Sequence, residues 1–230
     1  MKTIPFINLL ITFIPLILVW YFYKKWTDDK YEVLISTFRM VLQLVLIGYL
    51  LLYIFEEKNI FVGIGILIFM ISVSSWISLR NTINKTLSHY FQIFFSITVS
   101  GGINLIIIVG FVLPLEELYE PRFVIPIAGM IFANTMTALS LAIERYEKEY
   151  NRTENFVESR KMAFKACLIP QVNALLAVGL VSLPGMMTGQ ILSGVDPLIA
   201  VRYQIMIMTM VLSSAGLSAI VYFFLKQKEL

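Results

Sequence analysis

One cysteine and one histidine stand in 230 residues, and charged side chains make up only 14% of the chain. Cys167, being alone, can form no internal disulfide. Together with His89 it falls short of the four ligands of a tetrahedral zinc site, so one chain cannot build one from the usual residues. No phosphate-cradling glycine loop, HExxH or GxSxG motif occurs. These absences leave no recognisable catalytic constellation, and the chain is expected not to be an enzyme and to need no cofactor of its own. A net charge of +3 without a basic stripe interleaved with aromatics gives no footing for a nucleic-acid partner.

What is present is apolar surface. Hydrophobic residues make up 58% of the sequence and the mean hydropathy is +0.81. Surface-to-volume scaling forbids a soluble domain of this size from hiding so much, so lipid is the expected solvent. Seven apolar runs are each about long enough to cross a bilayer as a helix: roughly 4 to 23, 33 to 55, 59 to 78, 88 to 113, 123 to 143, 168 to 183 and 199 to 225. None alternates with period two, which excludes barrel strands. The fold expected is all-α and polytopic, one transmembrane domain over residues 1–230 with about seven transmembrane helices, and the partner of most of its surface is the bilayer of the cell membrane.

Lysine and arginine are unevenly shared between alternate loops. Thirteen fall on one side, among them Lys24, Lys25, Arg80, Arg145 and Lys226, and three on the other: Lys2, Lys58 and Arg122. Positive loops stay in the cytosol, which predicts the N-terminus outside and the C-terminus cytosolic. The first run lacks a small-x-small cleavage site and precedes Lys24 and Lys25, so it reads as a retained helix. The sequons at Asn84 and Asn151 then fall in cytosolic loops, where they are not used.

The one long polar segment is 144–167. Its second half has helical spacing, with Phe156, Val157, Ala163, Phe164, Cys167 and Leu168 on one face and Glu158, Ser159, Arg160, Lys161 and Lys165 on the other. Asn151 or Thr153 is expected to cap it, and Pro170 to kink the span that follows. Such a helix either lies on the lipid surface or acts as a lever for another protein.

Several spans also carry polar side chains inside the apolar runs: Arg39 with Gln43 one turn later, Asn134 with Thr135 and Thr137, Gln171 and Asn173 after Pro170, and Arg202 with Gln204. Such groups glue helices together or line a pathway. His89 is expected at an interface. Between the last two runs lies SLPGMMTGQILSGVDPLIAVRYQI, residues 182–205, with three glycines, two prolines and an aspartate. Met187 to Leu192 is too short to cross, so a short re-entrant or outer-face helix is predicted, and broken backbone at membrane depth must be enclosed by protein or line an aqueous cavity. Asp196 before Pro197 has the form of a helix cap. Met186 and Met187 lie in this segment. Methionine is a soft metal ligand, though usually packing.

This run, continued to Met208, resembles the most distinctive stretch of the FetB-type membrane subunits of ABC transporters. That family includes a bacterial iron exporter permease and plant relatives linked to aluminium tolerance. Further likeness lies in Arg39-x3-Gln43-Leu44 with Gly48 to Leu51, in Ile125 to Met130 leading to Asn134, and in Leu168-Ile169-Pro170 with Asn173 and Val178 to Val181. The chain departs from that pattern by lacking an E-x-L-x-L-G-A-T stretch before Phe156. The resemblance implies a permease that pairs with itself and with separate ATP-binding subunits, which hold ATP and Mg. It implies a pathway drawn from Arg39, Gln43, Asn134, Asn173, Met186, Met187, Asp196, Arg202 and Gln204, and ATPase coupling through Phe156, Val157, Arg160, Lys161 and Phe164. Iron or another metal is the implied cargo. The alternatives are a nucleotide sugar or other phosphorylated solute, a membrane-embedded enzyme using Arg39, Arg202 and Asp196, and a scaffold without a pathway.

Overall fold

The computed structural model describes residues 4–27, 29–56, 59–80, 82, 83, 85–117 and 119–228. Their regular elements are all helices, with no β-strand among them. Lys2, Lys58 and Asn84, used above for topology and for one sequon, lie outside the described residues. The chain forms two compact units, residues 1–57 and 58–230.

In the first unit the expected 4–23 run is two helices, α1 (Phe6–Ile11) and α2 (Ile14–Thr27), separated by a turn at Thr12 and Phe13. Pro15 has no N–H to give back along an unbroken helix, so the break falls just ahead of it. α3 (Glu32–Ile54) follows. The corner between α2 and α3 is held by polar bonds. The Asp29 carboxylate accepts from the N–H groups of Tyr31 and Glu32, both at 3.0 Å. The Trp20 indole donates to the Lys30 carbonyl at 3.0 Å, and the Tyr23 hydroxyl donates to Glu32. Amphipathic rings gathered beside lysines at one end of a hairpin fit a membrane interface. Apart from Ile54, no described residue of these three helices is buried, and an apolar surface so extensive is one that lipid solvates.

The second unit contains α4 (Ile60–Leu79), α5 (Leu87–Ile107) with a π-helical turn at Ile108–Val112, α6 (Pro121–Thr153), α7 (Phe156–Ala177), α8 (Gly185–Leu192) and α9 (Pro197–Gln227). Helix starts follow local chemistry. Asn59, Thr86, Asn155 and Asp196 accept bonds from N–H groups of the first turns of α4, α5, α7 and α9, and Pro121 and Pro197 open α6 and α9. The expected caps Asn151 and Thr153 do not serve. α6 runs on through both, Glu154 reverses the chain in the left-handed region at φ 50°, and Asn155 caps α7.

α6 is central and packs on α4, α5, α7 and α9. Small residues fill the buried faces of its neighbours. Ser75 and Ser78 of α4, Ser96 and Ser100 of α5, and Ser214, Ala215, Ser218 and Ala219 of α9 are all fully buried. Without a hydrophobic force between helices in lipid, small residues that let backbones approach are the main route to tight packing. The hydroxyls are satisfied locally, as in Ser75 to the Ile71 carbonyl at 2.7 Å, while Ser78 reaches across to the Met136 carbonyl at 3.2 Å.

Among the described residues, six helical segments have the length and apolarity to cross a membrane: Phe6–Thr27, made of α1 and α2 together, Glu32–Ile54, Ile60–Leu79, Leu87–Val112, Pro121–Thr153 and Pro197–Gln227. The expected 168–183 run differs. It is the second half of α7, which contains Pro170 within a continuous helix and stops at Ala177, before a turn and α8. Charged residues in its first half keep α7 out of the apolar set.

Candidate substrate pathway and coupling element

Two places in the second unit combine polar chemistry with position. The first is a set of buried polar side chains on α6, α7 and α9, helices that pack on one another pairwise. Gln171 of α7 and Gln204 of α9 are each only 5% exposed, and Thr135 of α6 is fully buried. The amide oxygens of both glutamines and the Thr135 hydroxyl have no hydrogen-bond partner among the described residues. An orphaned buried acceptor costs about 1–3 kcal/mol, so three on mutually packed helices need a reason, and oxygen donors suit a hard cation or ordered water.

The second is the α6–α7 hairpin. α6 has 33 residues, about 50 Å at 1.5 Å per residue, against a hydrocarbon layer of about 30 Å. Its polar end, from Glu144 onward, is thus helix and not loop. A carboxylate clamp stiffens it: Glu149 meets Arg145 at 2.7 Å and Arg152 at 2.8 Å, and Lys148 pairs with Glu144. α7 returns along it through Phe156, whose ring lies 5.9 Å from that of Tyr146. The buried face of α7 is Ser159, Ala163 and Cys167, with Phe156 and Phe164 half-buried against the core. Ser159, expected on the polar face, is fully buried and shares a 3.2 Å bond with Thr153. Val157, expected on the inner face, is 62% exposed. The helical spacing holds, but the buried face lies part of a turn away from the one expected, because Ser159 is small enough to pack against α6. Of the coupling candidates, Phe156 and Phe164 therefore turn inward, Arg160 sits 5.3 Å from the Phe156 ring, and Val157 and Lys161 face out.

The pathway candidates divide similarly. Gln204 is buried, and Asn134 is half-buried, giving its amide to the Met130 carbonyl of its own helix at 2.8 Å. Asn173, Met186 and Arg202 are exposed, and Met187 is half-buried. Asp196 does the capping work expected of it, accepting from the Leu198 N–H at 2.8 Å. Arg39 and Gln43 are exposed on α3, in the other unit. Among the described residues no three His, Cys, Asp or Glu side chains come together as a cation site.

Against this geometry, comparison with known proteins is decisive at one point. The model of an uncharacterised protein family, UPF0014, matches residues 6–230. The chain belongs to the UPF0014 family. Among its UPF0014 relatives, the membrane protein slr1647 of Synechocystis is 35% identical over 79% of this chain and 76% of its own length. A protein of Escherichia coli K12 named "probable iron export permease protein FetB" is 32% identical over 86% and 81%. The Arabidopsis thaliana protein named ALUMINUM SENSITIVE 3 is 31% identical over 82% and 73%. No solved structure matches the chain. This UPF0014 member is a multi-pass membrane protein.

Two polar features of this UPF0014 chain escaped the sequence reading. His89, expected at an interface, is 5% exposed, and its Nε2 lies 2.8 Å from the Tyr222 hydroxyl, tying the start of α5 to the end of α9. Asn104 of α5, 7% exposed, donates to the Ser100 carbonyl at 2.9 Å and accepts from the Ser213 hydroxyl of α9. Neither has a neighbour in sequence that would mark it, since each partner is more than a hundred residues away. A double-mutant cycle of Asn104→Ala and Ser213→Ala, read by thermal unfolding in detergent, is expected to return a coupling of about 1 kcal/mol, the range of interhelical polar bonds in bilayers. Additivity of the two changes would remove the bond from the account of α5–α9 packing.

Proposed function

We propose that this protein is the membrane-spanning permease subunit of an ABC transporter, working as a homodimer with separate ATP-binding subunits and moving iron or another metal ion. The observation that carries the reading is the stiff α6–α7 hairpin, which outreaches the bilayer and ends in a two-residue turn at Glu154 and Asn155. A passive anchor has no use for a clamped helical finger. A subunit that receives work from a soluble ATPase does. The relative named as a probable iron export permease supports both the role and the cargo.

In this reading the second half of α7 enters the bilayer after the first half has run back beside the overhang of α6, and with the 178–184 turn and α8 it makes a seventh, broken crossing, the N-terminus outside and the C-terminus in the cytosol. α8 packs chiefly on α9, and Leu180 and Val181 are 89% and 85% exposed. Broken backbone with such exposure needs cover at membrane depth, which a second permease copy would supply. Gln171, Gln204 and Thr135 then join Asn134 as oxygen donors along the pathway. ATP and Mg belong to the partner.

The test is ATP-driven movement in vesicles holding this protein and its cognate ATP-binding subunit, comparing ferrous iron with a nucleotide sugar. Iron movement is expected. Movement of the sugar alone would replace the cargo, and ATP-independent turnover of a lipid or phosphate substrate would replace the function. Gln204→Leu sharpens the test. Removing an orphaned buried acceptor should raise stability by about 1 kcal/mol while transport falls. Transport at the wild-type rate would take Gln204 out of the pathway.

A further inference from the structure

A groove of about 570 Å³ lies between the first turns of α7 and the last turns of α9. Its floor and walls are apolar, from Val157, Phe164, Ile220, Phe223 and Phe224, and two cations, Arg160 and Lys161, stand at its rim. No carboxylate of the described residues lines it. Neither cation has an ion pair among the described residues, and Arg160 is held in place over the Phe156 ring at 5.3 Å. One wall belongs to a membrane-crossing helix. Phe224 and Ile220 of α9 are 63% and 39% exposed, as lipid-facing side chains are, and Lys226 follows in the last turn.

We infer that this groove is a binding site for one anionic phospholipid of the leaflet at the α9 C-terminus, its phosphate between Arg160 and Lys161 and an acyl chain against the aromatic wall. The argument is complementarity of charge and of amphipathy. Cations above an aliphatic and aromatic trough ask for an occupant with a negative head and an apolar tail, and basic pockets between membrane helices take acidic head groups. Arg160 can present a planar fork to phosphate oxygens, and Lys161 a mobile point charge. A soluble protein segment would meet the rim but not the wall formed by a membrane span. The site rests on reading α9 as a bilayer helix and shares Val157, Arg160 and Lys161 with the coupling candidates, so it is tested on the permease alone, by lipid retention without the ATPase or the cargo. Its failure would leave the transport reading standing, and the reverse holds too.

The experiment is native mass spectrometry of the full chain, released from nanodiscs of dioleoyl-phosphatidylcholine with and without dioleoyl-phosphatidylglycerol. Wild-type protein should retain one phosphatidylglycerol and no phosphatidylcholine. Arg160→Gln with Lys161→Gln should weaken that retention about 25-fold, each cation near an anionic head group being worth about fivefold. Ile220→Trp should weaken it from the apolar side with both charges kept. Equal retention of the zwitterionic lipid, or phosphatidylglycerol retention unmoved by either change, overturns the site. So does loss of ATPase copurification in the glutamine variant with lipid retention intact, which would give the groove to the partner. A shift of oligomeric state with lipid retention intact would give it to a second copy.

Discussion

Gly101→Leu is expected to collapse the second unit, with a loss of about 3 kcal/mol or more, the upper range for overpacking a tight core. A Cβ at Gly101 would lie 2.6 Å from Phe132 Cε1, 3.1 Å from Phe132 Cδ1 and 3.3 Å from Ile131 Cγ2. Phe132 cannot swing away, since it is 3% exposed and belongs to the central helix, and Ile131 is fully buried. α5 would have to withdraw from α6, taking with it the serine-lined contact to α9. The neighbouring residue supplies the control. Gly102 has nothing within 4 Å of its would-be Cβ, so Gly102→Ala should be neutral or stabilising by up to about 1 kcal/mol through helix propensity. Thermal unfolding of the purified protein in detergent reads both. If Gly101→Leu melts with the wild type, α5 and α6 do not approach as described.

That pair of glycines shows what could and could not be read from the sequence. Adjacent in the chain and identical in chemistry, they differ only in that Gly101 faces the central helix and Gly102 faces open space, and that is decided by residues thirty positions away. Apolar runs located the helices because bilayer thickness acts on local composition. The Asp196–Pro197 start of α9 was legible for the same reason, since a cap is a bond between near neighbours. Features set by distant partners were not. The serine stripe, the His89–Tyr222 bond and the Asn104–Ser213 bond exist only once helices pack. α7 misled in both respects. Its amphipathic first half hid how it joins the 168–177 half in one helix, and Ser159, polar in a list, is apolar enough by size and local bonding to lie against α6. Of the candidate pathway, Gln204 and Asn134 proved to lie wholly or partly inside the bundle, whereas Asn173, Met186 and Arg202 point outward, because polarity marks a residue as costly in lipid without saying which side of its helix escapes it.

The hairpin yields the largest functional effect. Val157 stands one residue into α7, 62% exposed, beside Glu154, Glu158 and the clamped end of α6. An exposed β-branched apolar side chain at the edge of the α7–α9 groove is the kind of anchor that a docking partner desolvates. Turning Phe156 or Phe164 into a charged residue would be a poor test, since both rings pack toward the core and the change would unfold what it probes. Val157→Asp leaves that packing alone. It sets a negative charge where the proposed ATPase would close, and a hot-spot loss of about 2 kcal/mol or more is expected, about thirtyfold in affinity. Copurification of the ATP-binding subunit should fail, and stimulation of its ATPase by the permease should disappear, while Val157→Ile keeps both. The melting temperature of the permease alone should not move. If Val157→Asp still couples fully, the finger does not carry force through this face, and the drive must enter the membrane by another element.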